Sequence, residues 1–149
     1  MTAPLGVATR ALVLCAVSDA SVGSANGGSH WTLLAFRRSD GVFRHYDSLG
    51  RSGNAAAAAR IATTLAPALC LQGKPRIQAA PAPQQANGHD CALHVLLTAQ
   101  LLCVTPEREP SSEELAARVT PAAATALRAD MLALIARLAA EEADAPWDD

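Results

Sequence analysis

A cysteine at the start of a predicted helix and a glutamine shortly before it have the types and spacing that thiol chemistry requires. Cys91 opens an almost wholly apolar run that reaches Leu102, which predicts a buried helix with Asp90 near its N-cap. A cysteine in the first turn lies at the positive end of the helix dipole, which favours thiolate over thiol. Gln85 could donate a hydrogen bond to an oxyanion that develops nearby. The pattern indicates a prepared nucleophile.

A predicted β-hairpin could supply the base and its carboxylate partner. Two β-prone runs, residues 30–37 and 42–47, are joined by a segment with an Asp-Gly turn signal. When the residues that flank the turn face each other, the register places His30 diagonally across from Asp47, within reach of its side chain. A histidine oriented by a carboxylate can activate a cysteine for covalent catalysis.

The remaining segments predict one α+β domain. Residues 9–17 are a short apolar run, typical of a strand that is covered on both faces, and we expect it to be central in the sheet. Residues 18–29 predict a surface loop, and residues 75–79 a brief strand. Residues 54–71 predict a helix with Asn54 as its N-cap, although Pro67 should kink or end it. An extended, proline-fixed segment then leads to Asp90.

The C-terminal part of the chain predicts helices with clear start signals. Ser111 and Glu114 have the spacing of a capping box, and Thr120-Pro121 is an N-cap followed by proline. Five apolar residues then recur on one helical face, and we expect them to pack on the sheet: Leu127, Met131, Leu134, Ile135 and Leu138. We predict one catalytic domain over residues 1–143 and a frayed acidic tail over 144–149.

Charge and cysteine spacing exclude several classes of function. The chain has 12 Lys and Arg against 14 Asp and Glu, a net charge of -2, so nucleic acid and anionic membrane surfaces are not expected partners. No secretion signal or apolar segment of about 18 residues is evident, which predicts an intracellular protein, in cytoplasm or nucleus. Four cysteines lack C-x-x-C spacing, so no metal site is expected, and Cys15, Cys70 and Cys103 are interpreted as core thiols.

Three motifs follow one another along the chain: Gly-Gly-Ser-His-Trp-Thr-Leu-Leu at 27–34, His-Tyr-Asp-Ser at 45–48 and Gln-Gln-Ala-Asn-Gly-His-Asp-Cys at 84–91. In this order they resemble the motifs of the ubiquitin-like protease family, the sentrin-specific cysteine peptidases that process SUMO and Nedd-type modifiers. The resemblance extends from about residue 9 to about residue 140 and is greatest to the Nedd-specific members. It implies a papain-like or adenain-like fold, with a small mixed sheet packed against helices.

The resemblance also implies a role for each motif residue. Cys91 would be the nucleophile, His30 the base, Asp47 its orienting carboxylate and Gln85 the oxyanion donor, while Trp31 would cover the modifier's Gly-Gly tail. The implied reaction is hydrolysis after that tail, without cofactor or metal, by a chain expected to be monomeric. A Nedd-type modifier is the first expected partner and SUMO the second. Three histidines have no motif counterpart: His45 and His89 are interpreted as surface or turn residues, and His94 as a helix residue.

Two departures from the family pattern keep other functions open. The helical section that usually precedes the first strand is apparently missing, which predicts reduced affinity for a modifier. Family members usually have glycine after the nucleophile, whereas this chain has Ala92, whose methyl group could crowd the substrate carbonyl. The alternatives are a catalytically impaired modifier-binding remnant or gene fragment and, as a minor alternative, an acetyltransferase of the bacterial-effector type.

Overall fold

The computed structural model describes residues 6–20, 28–50 and 53–143. The predicted acidic tail, most of the predicted surface loop and Gly27 of the first motif therefore lie outside the described residues. After a short 3-10 turn at Val7–Thr9, eight longer elements follow: β1 Leu12–Ser18, β2 Trp31–Arg37, β3 Val42–Tyr46, α1 Asn54–Leu65, β4 Arg76–Ala79, α2 Cys91–Val104, α3 Ser112–Arg118 and α4 Pro121–Ala143.

The four strands form one mixed sheet in the order β1-β2-β3-β4. β2 pairs antiparallel with both β1 and β3, and β4 is parallel to β3. The α+β prediction is confirmed, but the prediction that the first strand is central is wrong. β1 is an edge strand, and its residues are mostly half-buried. Its apolar sequence reflects helices on both faces of the sheet, since Val13 packs in one hydrophobic cluster and Leu14 in the other.

Side-chain alternation along the strands divides the core into two layers. On one face, Leu34, Phe36 and Phe43 pack against α1. On the other face, residues of the same two strands, including Leu33 and Tyr46, pack with α2 and α3. The helices therefore enclose β2 and β3, the two strands that lead to the histidine and aspartate motifs.

The helix start signals have mixed outcomes. Ser111 forms the predicted capping box with Glu114, and Thr120 Oγ1 accepts a hydrogen bond from Ala123 N at 3.1 Å. The prediction for Asn54 is wrong, because Gly53 occupies the N-cap and Asn54 is the first helical residue, with its side chain fully buried. The helix ends at Leu65 rather than residue 71, in accord with the proline that follows.

The prediction that the apolar face of α4 packs on the sheet is wrong. Leu127 is half-buried, but Met131, Leu134, Ile135 and Leu138 are 38 to 59 % exposed. Among the described elements α4 packs chiefly against α2, and its contacts are made by the first turns around Ala124. The periodicity correctly indicated a helix, but it could not show that the helix continues beyond its neighbours.

The cysteines also depart from the sequence interpretation. Cys15 is half-buried in the sheet, whereas Cys70 and Cys103 are exposed rather than core thiols. In the described residues, no single helix has both the length and the apolarity needed to cross a membrane; α3 and α4, joined at a 50° bend, reach those thresholds only as a pair.

Candidate active site

The β2–β3 hairpin brings a buried imidazole against a carboxylate. Arg37 pairs with Val42 as predicted, and the ladder continues to Leu33 opposite Tyr46. His30 immediately precedes β2 and Asp47 immediately follows β3, and His30 Nε2 lies 2.7 Å from Asp47 Oδ1. The side chains are 5 % and 14 % exposed respectively. The predicted approach of the two groups is confirmed.

The backbone of His30 is fixed by side chains that sequence reasoning missed. His30 N donates to Asp19 Oδ1 at 3.0 Å, and Asp19 N donates to His30 O at 3.3 Å. Asn54 Nδ2 also donates to His30 O, at 3.2 Å. A Cβ atom at Gly28 would overlap the side chains of Ser18 and Asp19, so only glycine allows this close approach. Several elements therefore orient the imidazole.

The other imidazole nitrogen of His30, Nδ1, is the ring atom that can accept a proton. His30 Nδ1 is buried and has no hydrogen-bond partner among the described residues. The contact between Nε2 and the Asp47 carboxylate favours the tautomer protonated on Nε2, which leaves a lone pair on Nδ1. A buried ring nitrogen with an available lone pair can accept a proton from a thiol or from water.

A second histidine, His45, is buried in the sheet, contrary to its interpretation as a surface or turn residue. His45 is 8 % exposed within β3, and its Nε2 is 2.8 Å from Thr32 Oγ1. Burial lowers the pKa of His45, so this ring is neutral at pH 7. The contact between His45 and Thr32 joins β3 to β2, the two strands that adjoin Asp47 and His30. His89 is exposed, as predicted.

Cys91 is the first residue of α2, as predicted, and is 6 % exposed. Asp90 occupies the N-cap position, but its side chain makes no capping hydrogen bond to α2. Its carboxylate instead accepts a hydrogen bond from Asn87 Nδ2 at 2.7 Å and contacts Arg128 Nη2. The carboxylate therefore does not occupy the first-turn N–H groups beside Cys91, which are the groups that attract an anion at a helix N-terminus.

Gln85 is held beside the aspartate motif by both ends of its amide. Its Oε1 accepts from Ser48 Oγ at 2.6 Å, and its Nε2 donates to Asn87 O at 2.6 Å. Gln85 N also donates to Ser48 O at 2.9 Å. Because an amide nitrogen carries two hydrogens, Nε2 retains one with which to bind a ligand.

Trp31 is 41 % exposed and lines a small cavity with Ser48, Pro83 and His94. It is therefore not a core residue. His94 is a buried residue of α2, as its helical prediction implies, and its Nδ1 lies 3.1 Å from Pro83 O. This contact joins the extended segment before Gln85 to α2.

No three His, Cys, Asp or Glu side chains of the described ranges cluster as metal ligands would. The polar groups of the site are instead connected to one another through hydrogen bonds.

The sequence over residues 25–142 matches the Ulp1 protease family, C-terminal catalytic domain. The chain belongs to the Ulp1 protease family.

Two relatives show how much of a Ulp1-family protein the chain covers. It is 35 % identical to sentrin-specific protease 8 of Homo sapiens over 137 residues, which are 91 % of this chain and 63 % of that protein. It is 30 % identical to NEDD8-specific protease 1 of Arabidopsis thaliana over 145 residues, 93 % of this chain and 64 % of that protein. The chain thus spans less than two thirds of the length of either relative.

Among solved structures, the effector protein XopD of Xanthomonas campestris bound to ubiquitin is similar to this Ulp1-family chain with a TM-score of 0.46. The two are 21 % identical, and the match covers 73 % of this chain and 59 % of that one.

Within this Ulp1-family chain the structure gives each predicted site residue a definite environment. His30 and Asp47 are in direct contact, Gln85 is bonded to the residue after Asp47, and Cys91 begins α2. His30 Nδ1 and the Cys91 thiol do not hydrogen bond to each other in this state. Catalytic hydrogen bonds are often loose before substrate binds.

Five supporting residues were missed because each is an ordinary polar residue in sequence: Asp19, Ser48, Asn54, Asn87 and Arg128. Asn87 offered the best signal, since Asn-Gly followed by a polar residue is typical of a side-chain-stabilised turn. The other four act across elements that are distant in sequence.

Proposed function

We propose that the chain is a cysteine peptidase that cleaves after the C-terminal Gly-Gly of a ubiquitin-like modifier. The observation that carries this proposal is the His30–Asp47 contact of 2.7 Å, which leaves the buried Nδ1 of His30 as a proton acceptor. In this proposal Asp47 holds the imidazole in the productive tautomer and stabilises the imidazolium when it forms.

Cys91 is the proposed nucleophile because its position at the start of α2 favours the thiolate. Two sources of oxyanion stabilisation lie close to it in the chain. One is the remaining N–H of the Gln85 amide, and the other is the first turn of α2, which the Asp90 side chain does not cap. Donors held in place before the reaction stabilise developing charge without reorganisation.

The proposed reaction is acyl transfer to water. His30 Nδ1 takes the proton of the Cys91 thiol, which gives an imidazolium and a thiolate. The thiolate attacks the carbonyl carbon of the terminal glycine, and the carbonyl π electrons move to oxygen to give a tetrahedral oxyanion. The intermediate collapses to a thioester as the C–N bond breaks, and the His30 imidazolium gives its proton to the leaving amine. His30 then takes a proton from water, hydroxide attacks the thioester, and the carboxylate and the Cys91 thiolate are released.

A Nedd-type modifier is the first proposed substrate and SUMO the second. The relatives named above are a sentrin-specific and a NEDD8-specific protease, which supports this class of substrate. The exposed indole of Trp31 beside a narrow cavity supports a role in covering an extended tail without side chains. Because glycine has no side chain, a Gly-Gly segment needs the least space beneath the Trp31 ring, which supports a Gly-Gly specificity.

The proposal is tested by incubating the purified chain with Nedd-type, SUMO and ubiquitin proteins that carry thiol-trapping groups at their C-termini. We expect one adduct with one modifier, read by intact mass, in the parent chain and not in Cys91→Ser. Cys103→Ser is the matched control, because Cys103 is an exposed thiol of the same helix and should leave the adduct unchanged.

An adduct that persists in Cys91→Ser would contradict the assignment of the nucleophile. No adduct from a demonstrably folded chain would contradict the peptidase proposal. Retained modifier binding without an adduct would then favour the alternative function, a modifier-binding protein with impaired catalysis.

A further inference from the structure

One connection between α4 and the site has no counterpart in the sequence motifs. Arg128 lies in the second turn of α4 and contacts Asp90, the residue immediately before Cys91. The Asp90 carboxylate is 11 % exposed, whereas the Arg128 side chain is 46 % exposed and approaches from the solvent side. The Asp90 carboxylate thus pairs with Arg128 of α4 and makes no capping hydrogen bond to α2, the helix that it precedes.

The contact continues from Asp90 to the oxyanion donor. Asn87 Nδ2 donates to Asp90 Oδ2 at 2.7 Å, and Asn87 Oδ1 accepts from the backbone N–H groups of His89 and Asp90, each at 3.0 Å. The main-chain oxygen of the same Asn87 accepts from Gln85 Nε2 at 2.6 Å. One asparagine therefore joins the carboxylate held by Arg128 to the amide of Gln85.

We infer that Arg128 is a positioning residue of the active site, which acts through Asp90 and Asn87 to hold the Gln85 amide in its oxyanion-binding orientation. This inference rests on the proposed function, because it assigns a purpose to the orientation of Gln85. Arg128 contacts no reacting atom, and the hydrogen bonds of Asn87 connect its partner Asp90 to the Gln85 amide.

The test compares Arg128→Gln with Arg137→Gln in the full chain. Arg137 is a suitable control, because it lies in the exposed half of the same helix and, within the described residues, its ion pair is with the i+4 residue Glu141, at 3.8 Å. With a modifier carrying a C-terminal fluorophore, we expect Arg128→Gln to lower kcat about tenfold and to change KM less than about twofold. Arg137→Gln should change neither, and Arg128→Lys should recover part of the loss.

A double-mutant cycle distinguishes positioning from a general structural role. If Arg128 acts through the Gln85 amide, Arg128→Gln should lower kcat by less than about twofold in a Gln85→Ala background. Losses that multiply fully would overturn the inference, and so would an equal loss in Arg137→Gln.

Amide hydrogen exchange gives a readout that does not depend on turnover. The N–H groups of Gln85, His89 and Asp90 are all hydrogen bonded in this segment, and they should exchange faster in Arg128→Gln while α1 is unchanged. A parent chain without turnover would contradict the proposed function, and exchange would then decide the inference alone. Unchanged exchange in this segment would overturn it.

Discussion

His30 Nε2 and Asp47 Oδ1 are 2.7 Å apart although the two residues are separated by 17 positions in sequence. The β2–β3 register produces this approach, since each residue immediately adjoins one of the two paired strands. The carboxylate also accepts a hydrogen bond from Leu49 N at 2.9 Å, so its orientation is set by the turn that follows the strand. The hairpin therefore determines which imidazole nitrogen can accept a proton.

Asp47→Asn should reduce turnover because it removes the negative charge that would stabilise the His30 imidazolium. Asp47 Oδ1 accepts a hydrogen bond from Leu49 N and also contacts His30 Nε2, so the amide oxygen of asparagine should keep this position while the neutral side chain no longer stabilises the protonated ring. We expect kcat/KM to fall roughly 10²–10⁴-fold, measured with a modifier carrying a C-terminal fluorophore. Asp40→Asn is the matched control, because it makes the same change at the other end of the hairpin. Asp40 lies at the hairpin turn, where its Oδ2 pairs with Arg44 Nη2 at 2.5 Å. A comparable loss in both variants would contradict the role of Asp47.

The hairpin and the start of α2 could be predicted because their signals are local. The Asp-Gly turn fixed the pairing of Arg37 with Val42, and the apolar run after Asp90 placed Cys91 at the helix start. With those two elements positioned, the motif residues could be assigned to one site. The resemblance to a family supplied the roles, which spacing alone left open.

The wrong predictions concern side chains whose environment depends on distant elements. Asn54 has the residue type of an N-cap, but its amide donates to Val17 O on β1 as well as to His30 O, so it connects α1 to the sheet. His45 is buried because α1 covers that face of β3. The exposure of Met131 depends on where α2 ends, which periodicity within α4 cannot show.

Glu109 should contribute strongly to stability because it compensates two guanidinium groups. Its carboxylate lies 3.4 Å from Arg37 Nη2 and 3.1 Å from Arg44 Nε, and it accepts a hydrogen bond from Tyr46. Burial, together with this bond, raises the pKa of Tyr46, so the phenol stays protonated and donates. Glu109→Gln would leave the nearly buried Arg37 without its carboxylate, which should cost about 3 kcal/mol.

Urea unfolding measures this cost, and the slope of the transition should be unchanged if the fold is retained. Glu141→Gln is the control, because Glu141 pairs with Arg137 on the exposed part of α4 and should change stability by less than about 0.5 kcal/mol. Equal costs in the two variants would show that the Glu109 cluster adds nothing beyond a surface ion pair.

The start of α3 should lose stability in acid. Hydrogen bonds from Arg108, and then from Ser111 N, lower the pKa of Glu114 from its ordinary 4.5 to about 2. A carboxyl group with a lowered pKa in the folded state stabilises the fold above its ordinary pKa, and this contribution is lost as pH falls through the folded value. Protonation between pH 4.5 and about 2 should therefore remove it.

The measurement compares Tm of the parent and Glu114→Gln from pH 6 to pH 2. Glutamine can still complete the capping box, so the comparison isolates the charge. We expect the parent to be more stable at pH 6 and the difference to shrink towards pH 2. The exposed Glu142 near the end of α4 provides the control for the loss of a surface carboxylate, through the variant Glu142→Gln. A constant difference for Glu114→Gln would contradict the prediction.

Ala92 gives a prediction in which activity and stability change in opposite directions. The residue is exposed and follows Cys91 in the first turn of α2, whose N–H groups are proposed to stabilise the oxyanion. The resemblance indicates glycine at this position, and we expect the methyl group of Ala92 to crowd the carbonyl of a bound substrate. Ala92→Gly should therefore raise kcat/KM and, because glycine disfavours helix, lower the free energy of unfolding by up to about 1 kcal/mol.

Ala126→Gly is the matched control, since Ala126 is also an exposed helical alanine but lies in α4. It should show a similar loss of stability in urea without any gain in turnover. If Ala92→Gly loses stability and gains no activity, the methyl group does not restrict the carbonyl. Reduced activity in Ala92→Gly alone would instead mean that alanine holds the first turn in its productive geometry.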